Sequence, residues 1–84
     1  MKDIIIYTKK GCPYCSRAKA LLDFKVLAYK EIEVGNNPDK RAELTKKANG
    51  STTVPQIFID GRHIGGCDDL FSLDNGKKLD DLLK

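Results

Sequence analysis

Two cysteines, Cys12 and Cys15, lie two residues apart in the segment KKGCPYC at positions 9–15. An apolar run precedes them at positions 4–7 and an amphipathic segment follows, so we expect the pair at a strand-to-helix junction. Pro13 suits the first helical position, where a missing N–H costs nothing. Cys12 is then the N-cap residue, with free N–H groups of the first turn pointing at its sulfur. Since the thiolate is the reactive form and a helix N-terminus favours negative charge, we predict a lowered pKa for Cys12 and not for Cys15.

The composition bounds what kind of protein can carry these thiols. The 84 residues make one domain, 1–84, and the three cysteines are an odd number with lopsided spacing. No secretory leader precedes Met1, which favours a cytoplasmic redox role over disulfide stapling. No apolar run approaches the roughly 20 residues of a membrane span. With a net charge of +3 and only six aromatic residues, the chain lacks the basic, aromatic face that nucleic-acid binding needs.

The first half of the chain predicts a strand, a helix and a second strand. Three consecutive isoleucines within Ile4–Tyr7 favour a strand covered on both faces. From Pro13 to about Phe24 or Lys25 we expect a helix, with one apolar face formed by Ala18, Leu21, Leu22 and Val26. Alternation over residues 29–34 is typical of a strand near the sheet edge.

The second half predicts a helix, a hairpin and a final helical region. Turn and N-cap signals at positions 36–39 precede a helix over 40–49, which Gly50 closes as the C′ residue. A strand over 54–59 turns at Asp60-Gly61 into a strand over 62–64. Gly65-Gly66 ends that strand, and Asn75-Gly76 interrupts the helical region that follows. The order β-α-β-α-β-β-α makes the first two strands parallel and the last two antiparallel, an α/β fold with a four-stranded mixed sheet flanked by helices.

Four blocks of the chain resemble the glutaredoxins, specifically the small dithiol type found in bacteria. They are Lys9 three positions before the first thiol, CPYC at 12–15, TVP at 53–55 and GGCDDL at 65–70. A lone C-x-x-C would be weak because metal sites share it, whereas four blocks in the family's order and spacing are specific. The resemblance covers nearly the whole chain. It departs at residues 24–26, Phe-Lys-Val, where many relatives have a glycine after the first helix.

The resemblance implies a thioredoxin-like fold, glutathione as the electron donor and a cis peptide bond before Pro55. Main-chain atoms of Val54 would pair with the glutathione backbone as an added strand. Lys9 would meet the glycyl carboxylate, and the start of the last helix would receive the γ-glutamyl group. The implied glutathione-binding residues are Lys9, Tyr14, Thr53, Val54, Pro55, Gly66, Cys67, Asp68 and Asp69.

The chemistry follows from the two thiols. Cys12 would attack a glutathionylated substrate and be regenerated by a second glutathione, while Cys15 would resolve the intermediate formed with protein disulfides. A helix terminus contributes only about 0.3–1 kcal/mol to such an ionisation. Direct N–H···S bonds from Tyr14 and Cys15, and the charge of Lys9, must therefore supply most of the stabilisation. Expected partners are glutathione and glutathionylated or disulfide-containing proteins such as a reductase. The chain would act as a monomer, with no metal.

Several alternatives stay open on the residues alone. Cys12, Cys15, His63 and Cys67 offer four ligands for a structural zinc site. The chain could be a thioredoxin-like reductase supplied by a flavoprotein, although a glutathione groove would then serve no purpose. It could also be an iron–sulfur carrier, although the Pro13-Tyr14 pair is larger than such relatives usually have. Cys67 is either a small, partly buried helix residue or a second reactive thiol. Tyr14, Asp68 and Asp69 could serve packing and helix stability alone.

Overall fold

The computed structural model describes residues 2–83 and places four strands and four helices in this part of the chain. The strands are β1 (Ile4–Thr8), β2 (Lys30–Glu33), β3 (Gln56–Ile59) and β4 (Arg62–Gly65). The helices are α1 (Pro13–Phe24), α2 (Pro38–Lys47), α3 (Cys67–Asn75) and α4 (Lys78–Leu82). The last two helices are separated at Gly76, where the sequence predicted an interruption.

The sheet has the strand order β2-β1-β3-β4. Strand β1 pairs in parallel with β2 across the α1 crossover and antiparallel with β3, and β3 pairs antiparallel with β4. Asp60 and Gly61, with φ of 50° and 80°, form the tight turn between β3 and β4. Positive φ at both central residues is what a two-residue type I′ hairpin requires. The predicted mixed sheet and the edge position of β2 are confirmed.

Both faces of the sheet are covered, as the isoleucine run predicted. On one face Ile4, Ile6, Ile57 and Ile59 pack with apolar residues of α1, α3 and α4. On the other face Tyr7 and Phe58 pack with Leu44 and Ala48 at the α2 end. Since β1 is central and buried on both sides, its C-terminal end holds the following loop and the start of α1 in a fixed place. No helix within residues 2–83 has both the length and the apolar character needed to cross a membrane.

The starts of α2 and β3 each differ from the prediction by two residues. Helix α2 begins at Pro38, two residues before the predicted start, because Asn37 is its N-cap and accepts from the Lys40 amide at 3.0 Å. Strand β3 begins at Gln56, after the cis Val54–Pro55 peptide bond, so the predicted start at Val54 is wrong. Pro55 has no N–H to donate to a ladder, which suits a residue just outside a strand.

The ends of α1 and α2 share a hydrogen bond from the C″ amide to the C3 carbonyl, and both place an unexpected residue at C′. After α1, the Leu27 amide donates to the Leu22 carbonyl and the Val26 amide to the Asp23 carbonyl, both at 3.0 Å. This is the Schellman pattern, which places Val26 at C′ with φ of 57°. Val26 lies beyond the helix and is 88% exposed. The prediction that it belongs to the buried face of α1 is therefore wrong.

After α2, the left-handed C′ residue is Asn49, with φ of 57°, and not Gly50. Gly50 follows as C″, its amide donating to the Thr45 carbonyl at 2.8 Å. Asparagine adopts this conformation more readily than most residues because its short polar side chain bonds locally. The C′ position is therefore one residue earlier than predicted, and α2 ends at Lys47, two residues before the predicted end.

Candidate active site

Cys12 occupies the N-cap of α1, as predicted, in extended conformation with φ of −90° and ψ of 111°. Its Sγ accepts a hydrogen bond from the Cys15 amide at 3.3 Å. The sulfur also lies 3.8 Å from the Val54 carbonyl oxygen, to which the protonated thiol donates. Pro13 is the first helical residue and has no N–H, so the first-turn donors available to the sulfur come from the residues after it.

Two opposing effects set the ionisation of Cys12. Burial alone would raise its pKa, since a charged sulfur loses solvation. Hydrogen bonds from the Cys15 thiol and from the Cys15 and Tyr14 amides outweigh burial, and the charge of Lys9 adds a smaller contribution. The pKa of Cys12 therefore lies below its ordinary value. The expected N–H···S bonds are present, and they matter more than Lys9.

The pKa of Cys15 is shifted in the opposite direction, although Cys15 lies only one helical turn from Cys12. It is 2% exposed, and burial together with its hydrogen bond to Cys12 raises its pKa to about 11. The bond is donated by the Cys15 thiol and accepted by the Cys12 thiolate, so it stabilises the state with one proton on the pair. Of the two thiols, Cys12 is therefore the one that ionises at the lower pH.

An open groove of about 420 Å³ lies beside these thiols. One wall is the loop at positions 51–55, the other is the turn from β4 into α3, and Tyr14 stands at one end. The lining residues are Tyr14, Ser51, Thr53, Val54, Pro55, Gln56, His63, Gly65, Gly66, Cys67, Asp68 and Asp69. The groove therefore gathers eight of the nine residues that the sequence had assigned to glutathione.

The α3 wall of the groove depends on two glycines. A side chain at Gly65, whose φ is 125°, would collide with the Asp69 carboxylate, and one at Gly66 would press on the Pro55 carbonyl oxygen at 3.4 Å. The Gly66 amide donates to Asp69 Oδ2 at 3.0 Å, which closes the N-terminal end of α3. Both Asp68 and Asp69 are exposed at this wall, but Asp69 is engaged in capping its own helix.

The remaining predicted residues occupy different surroundings. Lys9 is exposed in the β1–α1 loop and does not line the groove. The Tyr14 ring is 53% exposed, with the Arg17 guanidinium 5.9 Å from its centroid. Cys67 is the first residue of α3, 6% exposed, and burial raises its pKa.

Sequence reasoning missed four lining residues: Ser51, Gln56, His63 and Gly65. His63 is a half-buried residue of β4, as predicted, but its side chain also faces the groove. The neighbourhood of the 53–55 block could have indicated Ser51 and Gln56. His63 could not be assigned to the groove from the sequence, because its place there depends on the pairing of β4 with β3, which sets it opposite Phe58.

Within residues 2–83 no cluster of three or more histidine, cysteine, aspartate or glutamate side chains is arranged to hold a metal ion. The four candidate zinc ligands of the sequence are therefore not gathered into one site. All three cysteines are free thiols.

Comparison with known proteins adds independent observations. The glutaredoxin family model matches residues 4–64. Glutaredoxin 3 of Escherichia coli (strain K12) is 56% identical over 84 residues, covering 100% of both chains. The solution structure of glutaredoxin from Brucella melitensis aligns with a TM-score of 0.88 and 54% identity, covering 100% of this chain and 90% of that one. The crystal structure of a buckwheat glutaredoxin–glutathione complex aligns with a TM-score of 0.87 and 36% identity, covering 98% and 76%.

Proposed function

The chain belongs to the glutaredoxin family, with a thioredoxin-like fold and glutathione-dependent thiol–disulfide oxidoreductase activity, and from that premise we propose which residues perform each step. One observation supports the assignment above the others. The Cys12 sulfur accepts from the Cys15 amide at 3.3 Å and lies 3.8 Å from the Val54 carbonyl, at the edge of the groove. A reactive thiolate and a peptide-binding wall are therefore adjacent.

In the first step, the Cys12 thiolate attacks the glutathione sulfur of a mixed disulfide. The Cys12–glutathione bond forms as the original S–S bond breaks, and the substrate thiol leaves with the electron pair and takes a proton from solvent. A second glutathione thiolate then attacks the glutathione sulfur on Cys12. Oxidised glutathione leaves, and Cys12 returns as the thiolate.

The low pKa of Cys12 acts mainly in this second step. A lower pKa increases the ionised fraction, but intrinsic nucleophilicity falls with a Brønsted slope of about 0.4–0.5, which offsets much of that gain. A thiolate of low pKa is also a better leaving group. The amide donors that lower the pKa of Cys12 therefore accelerate its release when glutathione attacks.

Cys15 acts on protein disulfides. After Cys12 has formed a mixed disulfide with the protein, the Cys15 sulfur attacks Cys12 Sγ, and the protein thiolate leaves and takes up the proton that Cys15 lost. The protein disulfide gains two electrons, and Cys12 and Cys15 are left as a disulfide. Because the pKa of Cys15 is raised to about 11, this thiol stays protonated and does not compete with Cys12 for substrates at neutral pH.

Glutathione binding uses both walls of the groove. Val54 pairs through its main chain with the glutathione peptide backbone, next to Thr53 and Pro55. The γ-glutamyl carboxylate is received by the first-turn amides of α3, at Cys67 and Asp68, since a helix N-terminus favours anions.

The charged ends of glutathione have further partners. The exposed carboxylate of Asp68 accepts from the glutathione ammonium, while Asp69 holds Gly66 in place. Tyr14 flanks the sulfur, and Lys9 approaches the glycyl carboxylate from outside the groove.

The protein substrates that we propose are glutathionylated or disulfide-containing proteins, such as a reductase, met in the cytoplasm by a monomer. Three free thiols suit a reducing compartment. Among the described residues, the exposed large apolar side chains are Tyr14, Phe24 and Val26. Tyr14 and Phe24 lie ten residues apart on α1, about 15 Å along the helix, so they form no single patch of the size that a stable dimer needs.

The experiment that tests the groove compares Asp68→Asn with wild type. Removing the charge that accepts the ammonium should raise the KM for a glutathionylated peptide roughly tenfold, since hydrogen bonds to charged groups are among the stronger ones. Turnover is followed with glutathione and glutathione reductase. Asp39→Asn is the matched control, because Asp39 lies in the first turn of α2, outside the groove. Equal KM values for the two variants would contradict the proposed binding mode.

A further inference from the structure

The groove has a hydrogen-bonded floor that the proposed chemistry does not use. Gln56, the first residue of β3, is only 3% exposed. Its Nε2 lies 3.0 Å from Ser51 Oγ, 3.1 Å from the Thr53 carbonyl oxygen and 3.2 Å from Thr53 Oγ1. An amide nitrogen carries two hydrogens, so one of them is shared between two of these acceptors. One buried amide therefore ties down both ends of the segment from Ser51 to Thr53.

His63 fixes the orientation of that amide. The Gln56 Oε1 atom can only accept, so the His63 nitrogen 2.6 Å away, Nε2, is the donor. Nδ1 of the neutral ring then accepts from Asn49 Nδ2 at 3.3 Å. The imidazole also lies against Phe58, with ring centroids 5.1 Å apart. The hydrogen bonds therefore run in one consistent direction from Asn49 through His63 and Gln56 to the loop.

The loop at positions 51–55 depends on such side-chain bonds because it forms no helix or strand of its own. The Thr52 carbonyl accepts from Arg41 Nη2 at 3.2 Å, and the Thr53 carbonyl accepts from Gln56. A backbone carbonyl that has no ladder partner needs another donor to stay in place. With the Thr53 carbonyl and hydroxyl both turned toward Gln56, Val54 provides the next main-chain groups along the groove.

We infer that Gln56, oriented by His63, is a positioning residue for glutathione binding that holds the Thr53–Val54 main chain without touching glutathione itself. The inference rests on the proposed function. Both hydrogens of the Gln56 amide are engaged within the protein, which leaves no donor for a ligand. The donors that ionise Cys12 belong to α1 and are independent of Gln56. Disturbing Gln56 should therefore weaken binding while leaving the reactive thiolate intact.

The test uses Gln56→Met, which keeps the length of the side chain and removes its hydrogen bonds. We expect the KM for a glutathionylated peptide to rise roughly tenfold, the effect of losing two or so hydrogen bonds. kcat and the pH profile of Cys12 alkylation should stay at wild-type values. Thr8→Val is the matched control: Thr8 is a 1% exposed sheet residue outside the groove whose hydroxyl bonds to Glu31, so it reports general loss of stability.

Two changes at His63 test the same chain of bonds should Gln56→Met fail to fold. His63→Phe keeps an aromatic ring against Phe58 but removes the donor to Gln56, and should raise KM severalfold. His63→Gln restores an N–H donor and should return KM to within about twofold of wild type.

Three results would overturn the inference. The first is a wild-type KM in both Gln56→Met and His63→Phe. The second is an equal KM for His63→Phe and His63→Gln. The third is a KM for Gln56→Met that is no higher than the KM for Thr8→Val. If Asp68→Asn raises KM while Gln56→Met does not, only the positioning role fails. If neither does, the proposed groove itself is wrong.

Discussion

The two ends of α1 each carry a residue that is unusual for its position. At the N-terminus, Cys12 is the N-cap where serine, threonine, aspartate or asparagine are preferred. At the C-terminus, Val26 adopts φ of 57° where glycine is usual. Backbone amides are hydrogen-bonded at both ends, to the Cys12 sulfur at the first and to the carbonyls of Leu22 and Asp23 at the second.

The difference lies in what each unusual residue does. At Cys12 the first-turn amides stabilise the thiolate and so lower the pKa of this residue. With a serine or aspartate cap the same amides would only stabilise the helix. Val26 contributes no contact that would justify its conformation, since 88% of it is exposed. The C-terminal end is instead held by Lys25, whose Nζ lies 2.6 Å from Asp74 Oδ1 and 3.0 Å from Asp80 Oδ1. One end of the helix is shaped for chemistry and the other is anchored to α3 and α4.

The largest effect should come from exchanging the Cys12 thiol for a hydroxyl, and the same exchange at Cys15 is its matched control. Cys12→Ser should lower glutathione-dependent reduction of a glutathionylated peptide by about a thousandfold or more, since a serine hydroxyl does not ionise near neutral pH. Cys15→Ser should keep this activity within about twofold, because the reaction with a second glutathione does not need the second thiol. The coupled glutathione reductase assay measures both.

The same pair of variants separates the two reactions. With a protein disulfide as substrate, Cys15→Ser should accumulate a mixed disulfide with its target, which mass spectrometry detects. Equal loss of mixed-disulfide reduction in the two variants would remove the distinction between an attacking and a resolving thiol.

A smaller effect is expected at Lys9. Its charge is the weakest of the contributions that lower the pKa of Cys12, and Lys9 is exposed. Lys9→Gln should therefore raise that pKa slightly and slow alkylation of Cys12 below neutral pH by at most about fivefold, as for other exposed charge pairs. Lys10→Gln is the control for net charge. A larger loss at Lys9 would mean that the charge, and not the amides of α1, sustains the thiolate.

The smallest effect should appear at the other end of α1 and leave activity unchanged. Val26→Gly should stabilise the protein by about 0.5–1 kcal/mol, since relief of the left-handed conformation exceeds the entropy that glycine adds to the unfolded chain. Val26→Ala should stabilise it less, because alanine keeps the Cβ atom. Urea unfolding monitored by circular dichroism measures both. A destabilised Val26→Gly would show that the exposed valine makes a contribution that its surroundings do not explain.

The two ends of α1 also show which structural features could be predicted from the sequence. The N-terminal end was predictable because its signals are local: an isoleucine strand, a proline at N1 and two thiols at fixed spacing. At the C-terminal end the predicted helix end near Phe24 is confirmed, but Val26 was wrongly assigned to the buried face because the apolar period runs past the last helical residue. The sequence carries no turn signal at this position, because the C′ residue of α1 is a valine and not the usual glycine.

The groove shows the same limit on a larger scale. Thr53, Val54 and Asp68 could be named from their blocks, since each block is contiguous in sequence. Gln56 and His63 could not be connected, because their contact depends on the register of β3 against β4. Asn49 joins them as the C′ residue of α2, one position before the glycine that was expected there.

The central claim is that hydrogen bonds from the first turn of α1 lower the pKa of Cys12 below that of a free cysteine. Its most direct test is the rate of iodoacetamide alkylation of Cys12 against pH in the wild-type protein, with the modified cysteine identified by mass spectrometry. Since the pKa of Cys12 is lowered, the rise in rate with pH should be centred below the pKa of a free cysteine. A rate that instead rises around pH 8.5, roughly the value for a free cysteine, would contradict the claim.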